Sequence, residues 1–328
     1  MILVLVDHDN GAPDETTLET LAFARSAAAM LDGRVEAVMI GGDARSAADV
    51  LKRHGAERIQ AAPLSEPYAP GVWAAGVIHA VQSASTDVDA VIAPGTDRGS
   101  EVMARVAARL EAPLAAQCLE LSSVDGGLWR LTRQRWGGSL LEDAELDGGD
   151  GPALLTVAPH AFAPREAPVD DAAVDEFQPE PSEHDRAVRL SEHIESEAEG
   201  VPLADARVVV GGGRGVGGEE GFAQLEELAG LLNGAVGGSR VATNNGWRSH
   251  GDQIGQTGTR IAPELYIACG ISGAIQHMVG CSGAKRILAI NTDRDAPIVE
   301  RADYAVIGDL HEVVPAIIDE LKQTNAKG

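Results

Sequence analysis

The feature that most constrains the fold is a repeated alternation of short apolar runs with stretches of helical periodicity. The first half contains the apolar runs MILVLVD, RVEAVMIG, RIQAAP and DAVIAPG, with helical patterns such as DETTLETLAFARSAAAML between them. The second half repeats this with RVVVGGG, GAVGGSR, ELYIACGI, KRILAINTD and YAVIGD. Strands that alternate with helices predict parallel sheets with crossover connections. We therefore predict an α/β protein with two doubly wound domains and mainly parallel sheets.

The middle of the chain departs from this alternation. Paired strands are predicted for LWRLTRQRWGGSLLEDAEL and PALLTVAPHAF, which would form an antiparallel extension of the first sheet. Residues 163–200 are rich in proline and acidic residues, which is typical of a linker. Within them, DRAVRLSEHIE is an alternative candidate for pairing at a sheet edge. The predicted domains are residues 1–200, which include this segment, and residues 201–328.

The charge balance limits the possible partners. The chain has 50 acidic and 26 basic residues, a formal charge of -24 at pH 7, which disfavours nucleic-acid binding. Such an acidic surface is typical of a halophilic organism, because a salt-rich cytoplasm screens the self-repulsion. No apolar run reaches the roughly 18 residues of a membrane helix, and the N-terminus lacks the features of a signal peptide. A soluble cytoplasmic protein without membrane insertion is expected.

The sequence offers little for covalent or metal chemistry. The three cysteines, Cys118, Cys269 and Cys281, are odd in number and widely spaced, so we predict buried thiols rather than disulfides or zinc ligands. No Ser-His-Asp or Cys-His set stands out, and no cluster has metal-ligand spacing. No catalytic residue and no metal site are therefore predicted.

Small or polar residues follow the predicted strands of the second domain. Ligands of open parallel sheets bind beyond the carboxyl ends of the strands. A hydrophobic core requires none of these residue types, so their recurrence predicts a ligand site at one sheet edge. The positions are Gly213-Arg214-Gly215, Ser239-Arg240, Ser272-Gly273, Asn291 and Asp309.

The first of these strand ends matches a dinucleotide-binding spacing only in part. Gly213, Gly215 and Gly218 satisfy G-x-G-x-x-G directly after a strand. The acidic residue expected at the end of the next strand is missing, since that strand ends in Gly-Ser-Arg. A common nicotinamide site is disfavoured. Arg214 in so tight a loop still suggests a phosphate or carboxylate partner.

Two further Gly-rich motifs suggest what the site holds. The loop QIGQTG offers Gln256 and Thr257 as hydrogen-bond donors. In GISGAIQH, Ser272 is placed to cap a helix whose first N–H groups favour negative charge, with His277 about one turn further. Together with Arg240, these residues predict a cradle for a planar heterocycle that gains negative charge. An ordinary capped helix with a structural histidine is the alternative.

Taken in order, these motifs resemble the C-terminal FAD-binding domain of electron-transfer flavoprotein α subunits. The resemblance is carried by GGRGVG, GSR, GQTG, APELYIACGISGAIQH, AINTD, APIVERADY and GDL. The N-terminal part is similar through PGTDRGSEVMARVAARL and GGSLL, so the resemblance covers essentially the whole chain. It implies FAD as the cofactor, a second domain of the DHS-like NAD/FAD-binding type, and a β subunit that contacts a scaffold-like first domain.

The resemblance also assigns residues to the cofactor. It implies that Arg240 stacks over the isoalloxazine ring, that Thr257 reaches its N5 atom, and that His277 lies at the pyrimidine end, where positive charge favours a reduced ring. A loop-packing or interface role is expected for Trp247. The implied FAD-binding residues, of which the last three hold the ribose and adenine, are Arg214, Ser239, Arg240, Ile254, Gly255, Gln256, Thr257, Ser272, Gly273, Ala274, Ile275, Gln276, His277, Asn291, Asp309 and Leu310.

The function implied by the resemblance is electron transfer without substrate chemistry. Such a protein carries electrons from flavin dehydrogenases, for example the acyl-CoA dehydrogenases of fatty acid β-oxidation, to a membrane quinone oxidoreductase. An alternative within the family is a bifurcating flavoprotein that uses NADH. Alternatives from other classes are an NAD-dependent enzyme of sirtuin-like fold, which expects a CxxC pair that this sequence lacks, and a nucleotide sensor of the universal-stress type.

Overall fold

The computed structural model describes residues 1–138, 140–170, 172–192 and 201–325. The chain folds into two compact units, Met1–His193 and Ile194–Gly328. Residues 193–200 of the predicted linker lie outside the described residues.

The first unit alternates strands and helices over most of its length. Its helices are α1 (Glu15–Met30), α2 (Ala44–Arg53), α3 (Pro70–Gln82) and α4 (Asp97–Leu110). Its strands are β1 (Ile2–Leu5), β2 (His8–Asp9), β3 (Ala12–Pro13), β4 (Val35–Ile40), β5 (Arg58–Ala62), β6 (Ala90–Pro94), β7 (Leu114–Asp125), β8 (Leu128–Arg135), β9 (Leu140–Asp147), β10 (Ala153–Val157) and β11 (Ala173–Glu176).

Nine of these strands form one sheet in the order β11-β5-β4-β1-β6-β10-β7-β8-β9. Neighbours from β11 to β7 are parallel, and β7, β8 and β9 pair antiparallel, so a mainly parallel sheet with an antiparallel extension is confirmed. The prediction for PALLTV was wrong: it forms β10, inside the parallel part. All five of its residues are buried, as a strand covered on both faces requires. The sequence-based prediction also missed β7.

Helices cover both faces of this sheet. Successive side chains of β1 point to opposite faces, so each face packs against different helices. Ile2 and Val4 pack with residues of α1 and α2, such as Phe23. Leu3 and Leu5 pack with residues of α3 and α4. The unit is therefore doubly wound.

The described part of the predicted linker belongs to the first unit. Strand β11 pairs in parallel with β5 at the sheet edge, so the edge pairing is made by residues 173–176. Residues 185–192 of DRAVRLSEHIE form no strand, and its last three residues lie outside the described residues. Further along, Asp185 is 6% exposed and forms an ion pair with Arg109 of α4. Its second carboxylate oxygen accepts a hydrogen bond from the Ser182 N–H at 2.8 Å.

The second unit contains five strands and five α-helices among its described residues. The strands are β12 (Val208–Gly212), β13 (Ala235–Gly238), β14 (Leu265–Cys269), β15 (Ile287–Asn291) and β16 (Tyr304–Ile307). The helices are α5 (Phe222–Leu231), α6 (Arg240–Asn244), α7 (Ile275–Cys281), α8 (Pro297–Arg301) and α9 (Leu310–Asn325).

All five strands are parallel, in the order β13-β12-β14-β15-β16. Met278 of α7 and Ile298 of α8 pack on one face, and Leu225 of α5 and Val314 of α9 pack on the other. After β12, the chain adds β13 on one side of it and then β14, β15 and β16 on the other side. The topological switch point therefore lies between β12 and β14. Ligands of such sheets bind at this point.

The structure also tests the predictions about the cysteines and about membrane-spanning helices. All three cysteines are free and buried, as predicted. No helix of the described residues combines the length and apolar character needed to cross a bilayer.

Candidate functional site

A cavity of about 600 Å³ lies beyond the carboxyl ends of the second sheet. Every strand of this sheet contributes to its wall. Arg214 follows β12, Ser239 follows β13, Ser272 lies in the loop after β14, Asn291 ends β15, and Asp309 follows β16. The volume is within the range of ligand and cofactor pockets, and the position is the one expected for a parallel sheet.

The pocket brings together all of the sequence-predicted site residues except Gly273 and Ile275. Gly273 has a φ of 79°, and a Cβ there would lie 2.4 Å from the Ile298 backbone nitrogen, so this glycine serves the packing of α8. The Ile275 side chain is 59% exposed and does not contribute to the pocket wall.

Several lining residues were missed by the sequence-based prediction. Most are chain neighbours of predicted residues, so wider windows around each strand end would have included them. Val241 and Asn244 were missed because they lie on α6, where a loop was predicted. The missed residues are Val241, Asn244, Gln253, Gly270, Ile271, Ile290, Thr292, Asp293, Ala296 and Gly308.

Close backbone packing joins the two Gly-rich motifs. The Gln256 N–H donates to the Gln276 carbonyl at 2.7 Å, which ties the loop at 254–258 to helix α7. A Cβ on Gly280 would lie 2.2 Å from the Gly255 nitrogen, so only glycine permits this approach. Both motifs therefore face the same pocket.

Two of the three glycines of the G-x-G-x-x-G match, Gly213 and Gly215, pack against protein, whereas a Cβ on Gly218 would meet open space. A Cβ on Gly213 would lie 2.4 Å from the Gly270 carbonyl oxygen, and one on Gly215 would lie 2.8 Å from the Gly270 Cα. The spacing therefore reflects the close approach of the loops after β12 and β14. Arg214, between these glycines, is exposed at the pocket.

Helix α7 begins later than predicted. Its N-cap is Ala274, without a side-chain hydrogen bond, so the predicted capping role of Ser272 was wrong. The left-handed conformation of Gly273 prevents a helical turn from starting at Ser272. Ser272 instead lines the pocket, and its carbonyl accepts a hydrogen bond from the Ile298 N–H at 3.2 Å.

Gln253 connects two threonine hydroxyls. Its side chain, 6% exposed, donates through Nε2 to Thr257 Oγ1 at 3.0 Å. Its Oε1 accepts from Thr243 Oγ1 at 2.9 Å. A hydroxyl that accepts a hydrogen bond keeps its own hydrogen for another partner. Thr257, exposed at the pocket, can therefore donate to a ligand.

Two cations at the pocket have no ion-pair partner in the part of the chain that the structure describes. Arg214 and Arg240 are both exposed and form no ion pair with a described residue, although Asp293 and Asp309 line the same pocket. In contrast, the nearby Arg248 pairs with Glu226 and Asp252. In a chain with a formal charge of -24, two unpaired guanidinium groups at one pocket favour a ligand with negative charge.

His277 is buried and neutral. Burial lowers its pKa to about 4, although the Ile254 backbone acts in the opposite direction. Its Nε2 lies 2.8 Å from the hydroxyl of the fully buried Tyr266. His277 therefore carries no positive charge near neutral pH. The predicted role of this residue, a positive charge at the pyrimidine end of the flavin, required one. The structure corrects the prediction because burial of the ring cannot be seen in the motif.

Two buried polar atoms of pocket residues have no hydrogen-bond partner among the described residues. They are Ser239 Oγ and His277 Nδ1; the Ile254 backbone is near enough to act on the pKa of the His277 ring but does not meet hydrogen-bond geometry at Nδ1. Buried polar atoms are nearly always paired in folded proteins, so such atoms favour a ligand that brings hydrogen-bonding groups.

Asn291 and Trp247 have identifiable structural contacts. Asn291 Nδ2 donates to the Ile271 carbonyl at 2.8 Å, and its Oδ1 accepts from the Asp293 N–H at 3.0 Å. These bonds hold the loops after β14 and β15 together at the pocket. Trp247 packs against the core on the α5 side of the sheet and does not line the pocket.

Comparisons with known proteins agree with this geometry. The sequence profile of the electron transfer flavoprotein FAD-binding domain matches residues 202–282, and that of the electron transfer flavoprotein domain matches residues 2–182. FAD is therefore the cofactor.

Full-length relatives give the same result. The chain is 36% identical over 326 residues to the electron transfer flavoprotein subunit alpha of Bacillus subtilis, covering 99% of this chain and 98% of that protein. It is 34% identical over 327 residues to the subunit alpha of Thermoanaerobacterium thermosaccharolyticum, covering 98% of each. Such a subunit implies a β-subunit partner. The chain belongs to the family of electron transfer flavoprotein α subunits.

Proposed function

We propose that this chain and its β subunit form an electron carrier that holds FAD in the pocket beyond β12 and β14. Its donors are flavin dehydrogenases, such as the acyl-CoA dehydrogenases of fatty acid β-oxidation, and its acceptor is a membrane quinone oxidoreductase. The observation that supports this most is one pocket that combines two unpaired guanidinium groups with a hydroxyl free to donate. FAD supplies the redox chemistry when bound, and the protein residues bind and orient it.

The residues present fit this cofactor. Ser239 Oγ and His277 Nδ1 lack partners, and the carbonyl and ring-nitrogen groups of an isoalloxazine are suited to satisfy them. Arg214 and Arg240 match the negative charge of a pyrophosphate and of a reduced ring. Guanidinium groups suit both partners, because they are planar, weakly hydrated and always charged.

The individual roles that we propose rest on the family resemblance together with these contacts. Arg240 stacks over the ring, and Thr257 donates to its N5 atom. His277 contributes as a neutral group at the pyrimidine end. Asn291, Asp309 and Leu310 hold the ribose and adenine. The remaining proposed contacts are Arg214, Ser239, Ile254, Gly255, Gln256, Ser272, Gly273, Ala274, Ile275 and Gln276, of which Gly273 and Ile275 act through backbone position rather than as pocket wall.

The two halves of the chain have different proposed roles. Residues 1–200 are a scaffold domain that contacts the β subunit, and residues 201–328 are an FAD-binding domain of the DHS-like type. The acidic composition supports a cytoplasmic protein of a halophilic organism, since a charge of -24 is best tolerated where salt screens it.

The cofactor proposal is tested by co-expressing the chain with its β subunit and measuring flavin absorbance per heterodimer. We expect one FAD in the α-subunit pocket, reduced by an acyl-CoA dehydrogenase with its substrate. A colourless heterodimer that takes up no added FAD would contradict the proposal. A parallel assay with NADH as the electron source distinguishes the proposed carrier from the bifurcating alternative, which NADH would reduce.

The role of Arg240 is tested through the flavin midpoint potential. Arg240→Ala removes a cation beside the ring, so we expect a lower potential, corresponding to roughly 0.5–1 kcal/mol for an exposed cation–π contact. Arg207→Ala is the matched control, because Arg207 precedes β12 at the opposite sheet edge and pairs with Glu264. A potential that stays the same or rises in Arg240→Ala would argue against stacking.

A further inference from the structure

The side chain of Gln253 is not a predicted cofactor ligand, yet it lies between a buried and an exposed hydroxyl. Thr243, on α6, is 3% exposed, whereas Thr257 is exposed at the pocket. The carboxamide of Gln253 reaches both, at 2.9 Å and 3.0 Å. The three side chains form a continuous hydrogen-bonded row from the interior of the unit to the pocket.

This row can be fully hydrogen-bonded in two directions. Thr243 Oγ1 lies 2.9 Å from Gln253 Oε1 and 3.2 Å from the Arg240 carbonyl, but it has a single hydrogen to donate. If that hydrogen goes to Gln253, Nε2 donates to Thr257, whose own hydrogen is then free. If it goes to the Arg240 carbonyl, a rotated amide donates to Thr243 and accepts from Thr257.

The two directions present different groups to the pocket. In the first, Thr257 is a donor, which suits a ring nitrogen with a lone pair. In the second, Thr257 offers a lone pair, which suits a ring N–H. Each oxygen and nitrogen atom of the row keeps at least one partner in either direction, so changing direction avoids the cost of an unpaired polar atom. An amide is the side-chain group that can support both, because it has a donor and an acceptor on one rotatable plane.

We propose that Gln253 is a positioning residue that holds the Thr257 hydroxyl at the flavin N5 and lets it act as donor or acceptor as the ring changes redox state. The inference rests on the proposed FAD site. A positioning role differs from a packing role in one respect. In a positioning role, Gln253 acts on the flavin only through Thr257, so its effect disappears when the Thr257 hydroxyl is removed.

A double-mutant cycle on the FAD-loaded heterodimer tests this requirement. The variants are Gln253→Met, Thr257→Val and the double variant, and the readout is the flavin midpoint potential at constant pH. We expect both single variants to shift the potential in the same direction. The double variant should match Thr257→Val alone, since coupled residues are not additive. Gln323→Met, the same change at an exposed glutamine of α9 that does not line the pocket, should leave the potential unchanged.

Additive shifts, or a Gln253→Met potential equal to that of the unmodified heterodimer, would overturn the proposal. An unchanged potential in Thr257→Val would also overturn it. If Gln253→Met does not yield a loaded heterodimer, Thr243→Val replaces it, because that change breaks the row at its buried end and keeps the side-chain volume. Failure of the unmodified heterodimer to bind FAD would instead contradict the proposed function, so the two failures are distinguishable.

Discussion

At the scale of single residues, the protonation of His277 links the pocket to stability. Its pKa is lowered to about 4 in the folded chain by burial, against an ordinary value of 6.5. Between these values the unfolded chain binds a proton that the folded site does not, so stability is complete above pH 6.5 and falls as the pH drops toward 4. At pH 5 the expected loss is about 2 kcal/mol.

This prediction is checked by urea unfolding of the flavin-free heterodimer at pH 7.5 and pH 5. We expect the difference between the two pH values to be about 2 kcal/mol smaller in His277→Gln, because the contributions of all other titrating groups cancel in the comparison. Equal pH dependence in both proteins would mean that His277 is not held neutral.

Gly211 is the residue that leaves room for the Tyr266 hydroxyl. A Cβ at this position in β12 would lie 2.4 Å from that hydroxyl oxygen, which hydrogen-bonds His277. Gly211→Ala must therefore displace a fully buried ring, at an expected cost of about 1–3 kcal/mol of unfolding free energy. Gly230→Ala is the control, since no atom lies within 4 Å of its Cβ, and we expect a gain of roughly 0.5–1 kcal/mol in helix α5. Similar effects of both changes would refute the packing argument.

At the scale of elements, the acidic segment after β10 is held by the pairing of β11 with β5 and by a half-buried ion pair between Asp185 and Arg109. Asp185 binds Arg109 of α4 and also accepts from Ser182, whereas Glu66 and Arg186 form an exposed pair in the same region. Asp185→Ala removes the hydrogen bonds that Arg109 and Ser182 donate to a buried carboxylate, so we expect a cost of about 1–3 kcal/mol. Glu66→Ala should cost at most about 1 kcal/mol.

Thermal unfolding and limited proteolysis of these two variants provide the measurements. We expect Asp185→Ala to lower the melting temperature and to expose residues 173–192 to cleavage, while Glu66→Ala resembles the unmodified chain. Equal protection of that segment in both variants would mean that strand β11, rather than the ion pair, anchors it.

At the scale of the whole molecule, net charge is the dominant feature. A formal charge of -24 destabilises a compact chain through self-repulsion, and about 1 M salt shortens the screening length to roughly 3 Å. We therefore expect the melting temperature to rise between 0.1 M and 1 M KCl. The same measurement is made on a variant in which several exposed carboxylates of β9 are changed to amides. The melting temperature of this variant should rise less between 0.1 M and 1 M KCl. A constant or falling melting temperature would contradict adaptation to salt.

Most of the elements could be predicted from the sequence, because local periodicity reports which side chains a strand or helix buries. The five strands of the second unit and the residues that end them were recognised in this way. Short elements were not: α6 and α8 have five residues each, too few to show a helical period. Strand β10 was assigned to the wrong neighbours, since pairing depends on residues far away in the chain.

The sequence by itself determined the α/β class, the family and the set of strand-end residues that meet at one edge of the second sheet. These depend on residue type and order, which are local properties. Only the tertiary structure decided the strand order, the neutral state of His277, the packing role of Gly273 and the contact of Gln253 with two hydroxyls. Desolvation and side-chain hydrogen bonds arise from long-range contacts, and residue spacing carries no measure of them.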